Sequence, residues 1–184
     1  MALPQLQEKL YTYADYSEWD DDARYELIEG VPYAMASASS YHQSISTELS
    51  GQLWSYLKGK TCKVFTALDV RLNENSRDDT VVQPDIIVTC DRSKVTKNYH
   101  EGAPDLVIEI LSPSTARMDK LKKRTLYQAA GVREFWIVDP ELKIVEVNIL
   151  YDGKYHITAY DETDTLPVQV LEGCEISLAD VFAE

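Results

Sequence analysis

Two short apolar runs each carry a carboxylate in their midst, and this constrains the fold more than any other feature of the chain. The first reads Val81-Val82-Gln83-Pro84-Asp85-Ile86-Ile87-Val88 and the second Pro104-Asp105-Leu106-Val107-Ile108-Glu109-Ile110-Leu111. Runs this rich in β-branched and aliphatic residues form buried strands. A carboxylate inside one loses hydration, at a cost on the order of several kcal/mol, unless a cation or a set of donors replaces the water. Alternate residues of a strand share a face, so Gln83, Asp85 and Ile87 face one way, as do Asp105, Val107, Glu109 and Leu111. If the two strands are neighbours, ~4.8 Å apart, Asp85 and Glu109 can reach one ion between them. Two carboxylates, completed by backbone carbonyls and water, suit Mg²⁺ or Mn²⁺. Such an ion activates water and neutralises charge growing on a phosphate.

A helix follows the second run. Ser114 or Thr115 can cap its start and Gly131 can end it. Between Arg117 and Arg124 it carries Arg117, Lys120, Lys122, Lys123 and Arg124 against Asp119 alone. A lysine aimed at the metal would compensate transition-state charge that the ion leaves. Lys123 has Leu126, Tyr127 and Ala130 three, four and seven residues on, a largely apolar face that turns its head inward. Lys122 has weaker support from Met118, Thr125 and Ala129, and either lysine could equally lie on a solvated face. Glu26, in Tyr25-Glu26-Leu27-Ile28, is an exposed strand residue or a third acid near the metal. His42 is a structural hydrogen bonder or faces a phosphate. Asp105 competes with Glu109, but four residues along a strand is ~13 Å, so it ends a turn instead.

The remaining segments give an order of elements. A short helix is expected within Tyr11–Trp19. Arg24–Met35 reads as a hairpin turning at Glu29-Gly30. From Tyr41 to Leu57, Ile45, Leu49, Leu53, Trp54 and Leu57 recur at helical steps, with Gly59 as a stop signal. Cys62–Leu72 reads as one strand, antiparallel to Val81–Cys90. Asp91–Gly102 is an irregular basic connection. Glu134–Asp139 is a buried strand closed by Pro140. Ile144–Tyr151 and Lys154–Tyr160 form a hairpin around Asp152-Gly153, and Leu178–Phe182 a short helix or turn. The fold class is α/β (α+β), a mixed sheet flanked by helices with a hairpin at each end of the chain.

At 184 residues the chain reads as a single domain, 1–184, with 1–20 as an N-terminal extension. No apolar run approaches the ~20 residues of a membrane span, and the start is not a secretory signal. Cys62, Cys90 and Cys174 are odd in number and widely spaced, which suits packing roles in a reducing cytoplasm and not a metal site. The net charge of −13 opposes phosphate-backbone binding, apart from the local basic patch at Arg117–Arg124.

Pro84-Asp85, then 23 residues, then Glu109 and a lysine-bearing helix, resembles the PD-(D/E)xK nuclease superfamily. Ala103 through Thr115, Asp119, Lys123, Tyr127 and Gly131 through Pro140 are similar to the bacterial putative restriction endonuclease family, a domain-of-unknown-function group with a restriction-endonuclease-like fold. Tyr25–Gly30, His42 and Gln83–Ile86 also match, and the resemblance covers residues 20–182. It implies a metal-dependent endonuclease hydrolysing DNA phosphodiester bonds. Asp85 and Glu109 are then the metal-binding acids, Lys123 the catalytic lysine and Glu26 a further acid. The superfamily's lysine two residues after the second acid is replaced by Leu111, so the resemblance implies that its role has moved to Lys123. If it has not, the alternative is a catalytically impaired nuclease-fold protein acting as a binding or regulatory module. On either reading a homodimer is expected, because two strands must be cut.

Overall fold

The computed structural model describes residues 9–20, 23–72, 77–112 and 116–183, and within 116–120 the backbone only. The chain opens with the single turn α1 (Tyr13–Tyr16). The Thr12 hydroxyl accepts from the Asp15 backbone and the Asp15 carboxylate accepts from that of Thr12. Strands β1 (Tyr25–Ile28) and β2 (Val31–Ala34) form the expected hairpin. Its turn residues Glu29 and Gly30 have φ of 52° and 80°, the positive pair that a two-residue hairpin favours. Helix α2 (Ser40–Leu57) buries Ile45, Leu49, Leu53 and Leu57. Trp54, part of the same helical-step pattern but one step round from that stripe, is 59% exposed.

Both strand readings in the middle of the chain need correction. Cys62–Leu72 is two strands, β3 (Lys63–Thr66) and β4 (Asp69–Arg71), broken at Ala67 with φ of 48°. Val81–Cys90 is likewise β5 (Val81–Val82) and β6 (Ile86–Thr89). Pro84, which has no N–H for a ladder, stands in the second gap beside Asp85. At both breaks the chain leaves one sheet for another, and hydrophobic patterning does not register such a crossing. After β7 (Tyr99–Glu101) come β8 (Leu106–Ile110), α3 (Ala116–Ala130) and β9 (Glu134–Asp139). Gly131 ends α3 at φ +81°, with Val132 N–H donating back to the Tyr127 carbonyl. Ser114 and Thr115 lie outside the described residues. The hairpin β10 (Ile144–Tyr151) and β11 (Lys154–Asp161), the pair β12 (Thr165–Pro167) and β13 (Glu175–Ser177), and α4 (Leu178–Val181) complete the chain.

The fold is mixed α+β, as the pattern predicts. A six-stranded sheet runs β11-β10-β9-β8-β6-β3, antiparallel except where α3 carries the chain from β8 to its parallel neighbour β9. A second, five-stranded sheet, β2-β1-β5-β4-β7, was not legible as a separate layer. One core joins α2, α4 and the β12–β13 pair to Ile86, Val88, Leu106, Ile108, Trp136 and Val138. The other joins Tyr127 and Val132, together with Ile28, Val70, Leu72 and Val82, to Ile87, Val107, Phe135 and Ile137. Consecutive residues of β6, β8 and β9 thus enter opposite cores, which is why these strands are apolar on both faces. Cys62 and Cys90, one step beyond the Lys63–Thr89 pair, form a disulfide, while Cys174 is free and buried. This corrects the reading of all three as packing cysteines, since adjacent strands place two of them within bonding reach. Among the described residues no helix is long and apolar enough to cross a membrane.

Candidate active site

The β6–β8 register sets the geometry. Ile86 pairs with Ile108, so one more step places Asp85 opposite Glu109. Residues directly across an antiparallel pair point to the same side. Here that is the side of Ile87, Val107 and Tyr127.

Lys123 reaches this face from α3. Its Nζ donates to Glu109 Oε1 and to Glu26 Oε1, each at 2.9 Å. Tyr127, one turn further along α3, donates its hydroxyl to the same Glu109 oxygen at 2.7 Å. The backbone N–H of Gln83 donates to Glu26 Oε1 at 2.9 Å. Glu26, Lys123 and Tyr127 are all buried, which overturns the exposed reading of Glu26. Leu27 and Ile28 beside it on β1 are buried too, and the lysine supplies the counter-charge that burial demands.

Asp85 is held from the other side. Its Oδ2 accepts from the Ile110 backbone N–H at 2.8 Å. His42, in the first turn of α2, brings Nε2 to 3.3 Å from that oxygen and 3.1 Å from the Ile110 carbonyl. Among the described residues the buried Nδ1 of His42 has no hydrogen-bond partner. The hydrogen bond to Asp85 raises the His42 pKa against the opposing effect of burial.

Three carboxylates therefore stand around one lysine and one histidine. Burial pushes the Glu109 pKa up to about 7; Lys123 opposes the rise, and Glu26 and Asp85 add to it. Burial by itself would lower the Lys123 pKa, but Glu109 and Glu26 outweigh it and the ammonium is held more firmly than in water. Tyr127 is likewise pushed well up, first by burial and then by Glu109, so it is a fixed proton donor.

Among the described residues no group of three or more His, Cys, Asp or Glu side chains is arranged to hold an ion. Two carboxylates on facing strands are nevertheless a donor set that fits a hard divalent cation completed by carbonyls and water. Among the described residues Asp85 Oδ1 and Glu109 Oε2 take no hydrogen bond, which leaves one oxygen on each acid for such an ion.

The other candidates lie elsewhere. Lys122 donates to the Tyr33 hydroxyl at 2.5 Å and lies over that ring. Arg124 pairs with Glu146. The side chains of Arg117 and Lys120 lie outside the described residues. Asp105 accepts from Cys90 N–H at 2.6 Å and pairs with Arg133, a structural role. Tyr127, named only in the face beside Lys123 and in the family resemblance, and the Gln83 main chain were not among the expected site residues. Tyr127 follows Lys123 by four residues, and that spacing was the available signal.

The profile of the family Uma2, described as "Putative restriction endonuclease", matches residues 13–179. Among curated proteins the chain is 29% identical over 161 residues to the "Uncharacterized protein slr1290" of Synechocystis sp., covering 84% of this chain and 83% of the relative. It is 28% identical over 136 residues to the "Uncharacterized protein sll1609" of the same organism, covering 71% and 76%. In architecture it is similar to "a putative nuclease belonging to DUF820" from Anabaena variabilis. That likeness has a TM-score of 0.78 and 23% identity, and covers 93% of this chain and 97% of the other.

Proposed function

The chain belongs to the Uma2 family of putative restriction endonucleases, and on that premise we propose that it is a metal-dependent endonuclease that hydrolyses DNA phosphodiester bonds. The observation that carries this reading is the buried meeting of Glu26, Glu109 and Lys123, with Asp85 opposite Glu109. A nuclease needs oxygen donors for a cation and a fixed positive charge at one phosphate. Asp85 and Glu109 are the residues that would hold Mg²⁺ or Mn²⁺, which when bound supplies Lewis acidity toward phosphate and water.

The chain's own residues do the rest. Ile110 N–H fixes the Asp85 carboxylate and Tyr127 fixes that of Glu109, so neither acid has to be ordered when substrate arrives. Lys123 keeps its proton, tethered by Glu26, and presents a positive charge to the phosphate oxygen on which charge develops. Glu26 thus acts as the positioning residue for Lys123. The missing lysine at Leu111 is supplied from α3, on a rigid element. Two copies of the chain would place one such site on each strand of a duplex, and sedimentation at several protein concentrations tests that homodimer.

Nicking of supercoiled plasmid in Mg²⁺ tests the activity. Wild type converts the plasmid to open circles, and Asp85→Asn and Lys123→Met each lower the rate by about 100-fold or more. Equal conversion by all three proteins removes the hydrolytic reading and leaves a nuclease-fold binding module.

A further inference from the structure

Next to this site lies a cavity that hydrolysis does not use. It has a volume of about 300 Å³ and is walled by Tyr13, Tyr16, Trp19 and Tyr25, with Arg24, Asp69, Gln83 and Asn98 supplying the polar lining. The volume is at the lower end of the ~300–1,000 Å³ range of ligand pockets, enough for one planar ring system and not for a chain of them. The rings stand edge to face: Trp19 lies 5.3 Å from Tyr16 and 5.4 Å from Tyr25, at 63° and 79°. The Arg71 guanidinium lies over the Tyr13 ring, 4.4 Å from its centroid, so stacking area in the cavity comes from Trp19, Tyr16 and Tyr25.

The polar lining is held in place. Asp69 Oδ1 accepts from Gln83 Nε2 at 2.8 Å and Oδ2 from the Tyr16 hydroxyl at 3.3 Å. Arg24 donates to Gln83 Oε1 at the exposed rim. Burial raises the Asp69 pKa against the lowering effect of these two bonds. Gln83 joins the two sites. Its side chain lines the cavity, and its backbone N–H holds the Glu26 oxygen that also binds Lys123.

Building on the nuclease reading, we propose that this pocket takes an unpaired nucleobase of the DNA strand whose neighbouring phosphate lies at the active site. The aromatic walls offer stacking faces that accept any base. Asp69 and the Gln83 and Asn98 amides face the hydrogen-bonding edge that pairing would otherwise occupy, and Arg24 stands where the backbone phosphate leaves the pocket. The charge of the chain favours this substrate over a continuous duplex. At a net charge of −13 the protein has little electrostatic attraction for a duplex backbone, so affinity has to come from base contacts.

Binding is measured by fluorescence anisotropy in EDTA, with a short labelled single strand, the blunt duplex of the same sequence, and deoxynucleoside monophosphates as competitors. The single strand binds at least about ten-fold tighter than the duplex and than any mononucleotide. Trp19→Leu weakens strand binding by about 5- to 100-fold and Trp19→Phe restores it. Equal Kd for strand and duplex, equal Kd for strand and mononucleotide, or no effect of Trp19→Leu overturns the proposal. Should Trp19→Leu fail to fold, wild type with a strand containing 2-aminopurine decides the matter. Quenched emission on binding marks a stacked base, and unchanged emission contradicts one. Plasmid nicking by the same preparations separates the two readings. Nicking with Trp19-independent binding overturns the pocket alone, and Trp19-dependent binding without nicking keeps the pocket and removes hydrolysis.

Discussion

Lys123 holds two buried carboxylates at once, so its loss falls on stability as well as on chemistry. Lys123→Met leaves Glu26 and Glu109 without their shared ammonium, a loss of about 3–5 kcal/mol at pH 8. Protonation relieves Glu109 at low pH, so the deficit shrinks at pH 5, and urea unfolding at the two pH values measures it. Glu109 gives a second prediction with a fixed sign. Its folded pKa, about 7, lies above its ordinary 4.5. Its contribution is therefore complete below pH 4.5 and is lost as pH rises through 7. Relative to Glu109→Gln, wild type should lose a few kcal/mol, at about 1.4 per pKa unit, between pH 4.5 and 8. A difference that is flat with pH would contradict the burial of this carboxylate. The sequence carried much of this arrangement. Asp85 and Glu109 stood out because acids are rare inside aliphatic runs, and Lys123 because Leu126, Tyr127 and Ala130 line its face. Glu26 stayed ambiguous because its cover comes from a second sheet that local alternation does not reveal.

At the scale of elements, the turns and helices were the most legible parts, because capping and turn chemistry are local. Glu29-Gly30, Asp152-Gly153 and Gly131 all take the positive φ that their residue types favour. The broken strands were not legible. Cys62–Leu72 keeps its apolar character across the point where the chain changes sheet, and in Val81–Val88 Pro84 marks a break without telling that the chain passes to another sheet there. The break at Gln83-Pro84-Asp85 matters for function: it frees Asp85 from the ladder and lets its carboxylate turn to Ile110 N–H. Gly30 tests how tightly the N-terminal segment is docked. A Cβ there would lie 2.9 Å from Leu10 Cβ, on a backbone at φ +80°. Gly30→Ala should cost about 1–3 kcal/mol by urea unfolding. No loss would mean that residues 9–12 are not packed against this hairpin.

Over the whole molecule, two sheets and the helix α3 enclose the site, which is why its charges are buried in a chain that is otherwise strongly acidic. The Cys62–Cys90 bridge closes a loop of 28 residues between the edge strand β3 and its neighbour β6. On loop entropy alone the bridge contributes at most about 3–4 kcal/mol. Dithiothreitol should lower the melting temperature of wild type and leave a Cys62→Ser/Cys90→Ser variant unmoved. Equal melting of reduced and oxidised wild type would remove the bridge from the stability of the fold. The most direct test of the central claim, that two facing acids form a cation site, is calorimetric titration of Mn²⁺ at pH 7. Wild type should take one ion per chain, with proton release as Glu109 gives up its proton, and Asp85→Asn and Glu109→Gln should each bind at least about ten-fold more weakly. A wild-type chain that takes no ion, or variants that bind as tightly as wild type, would contradict it.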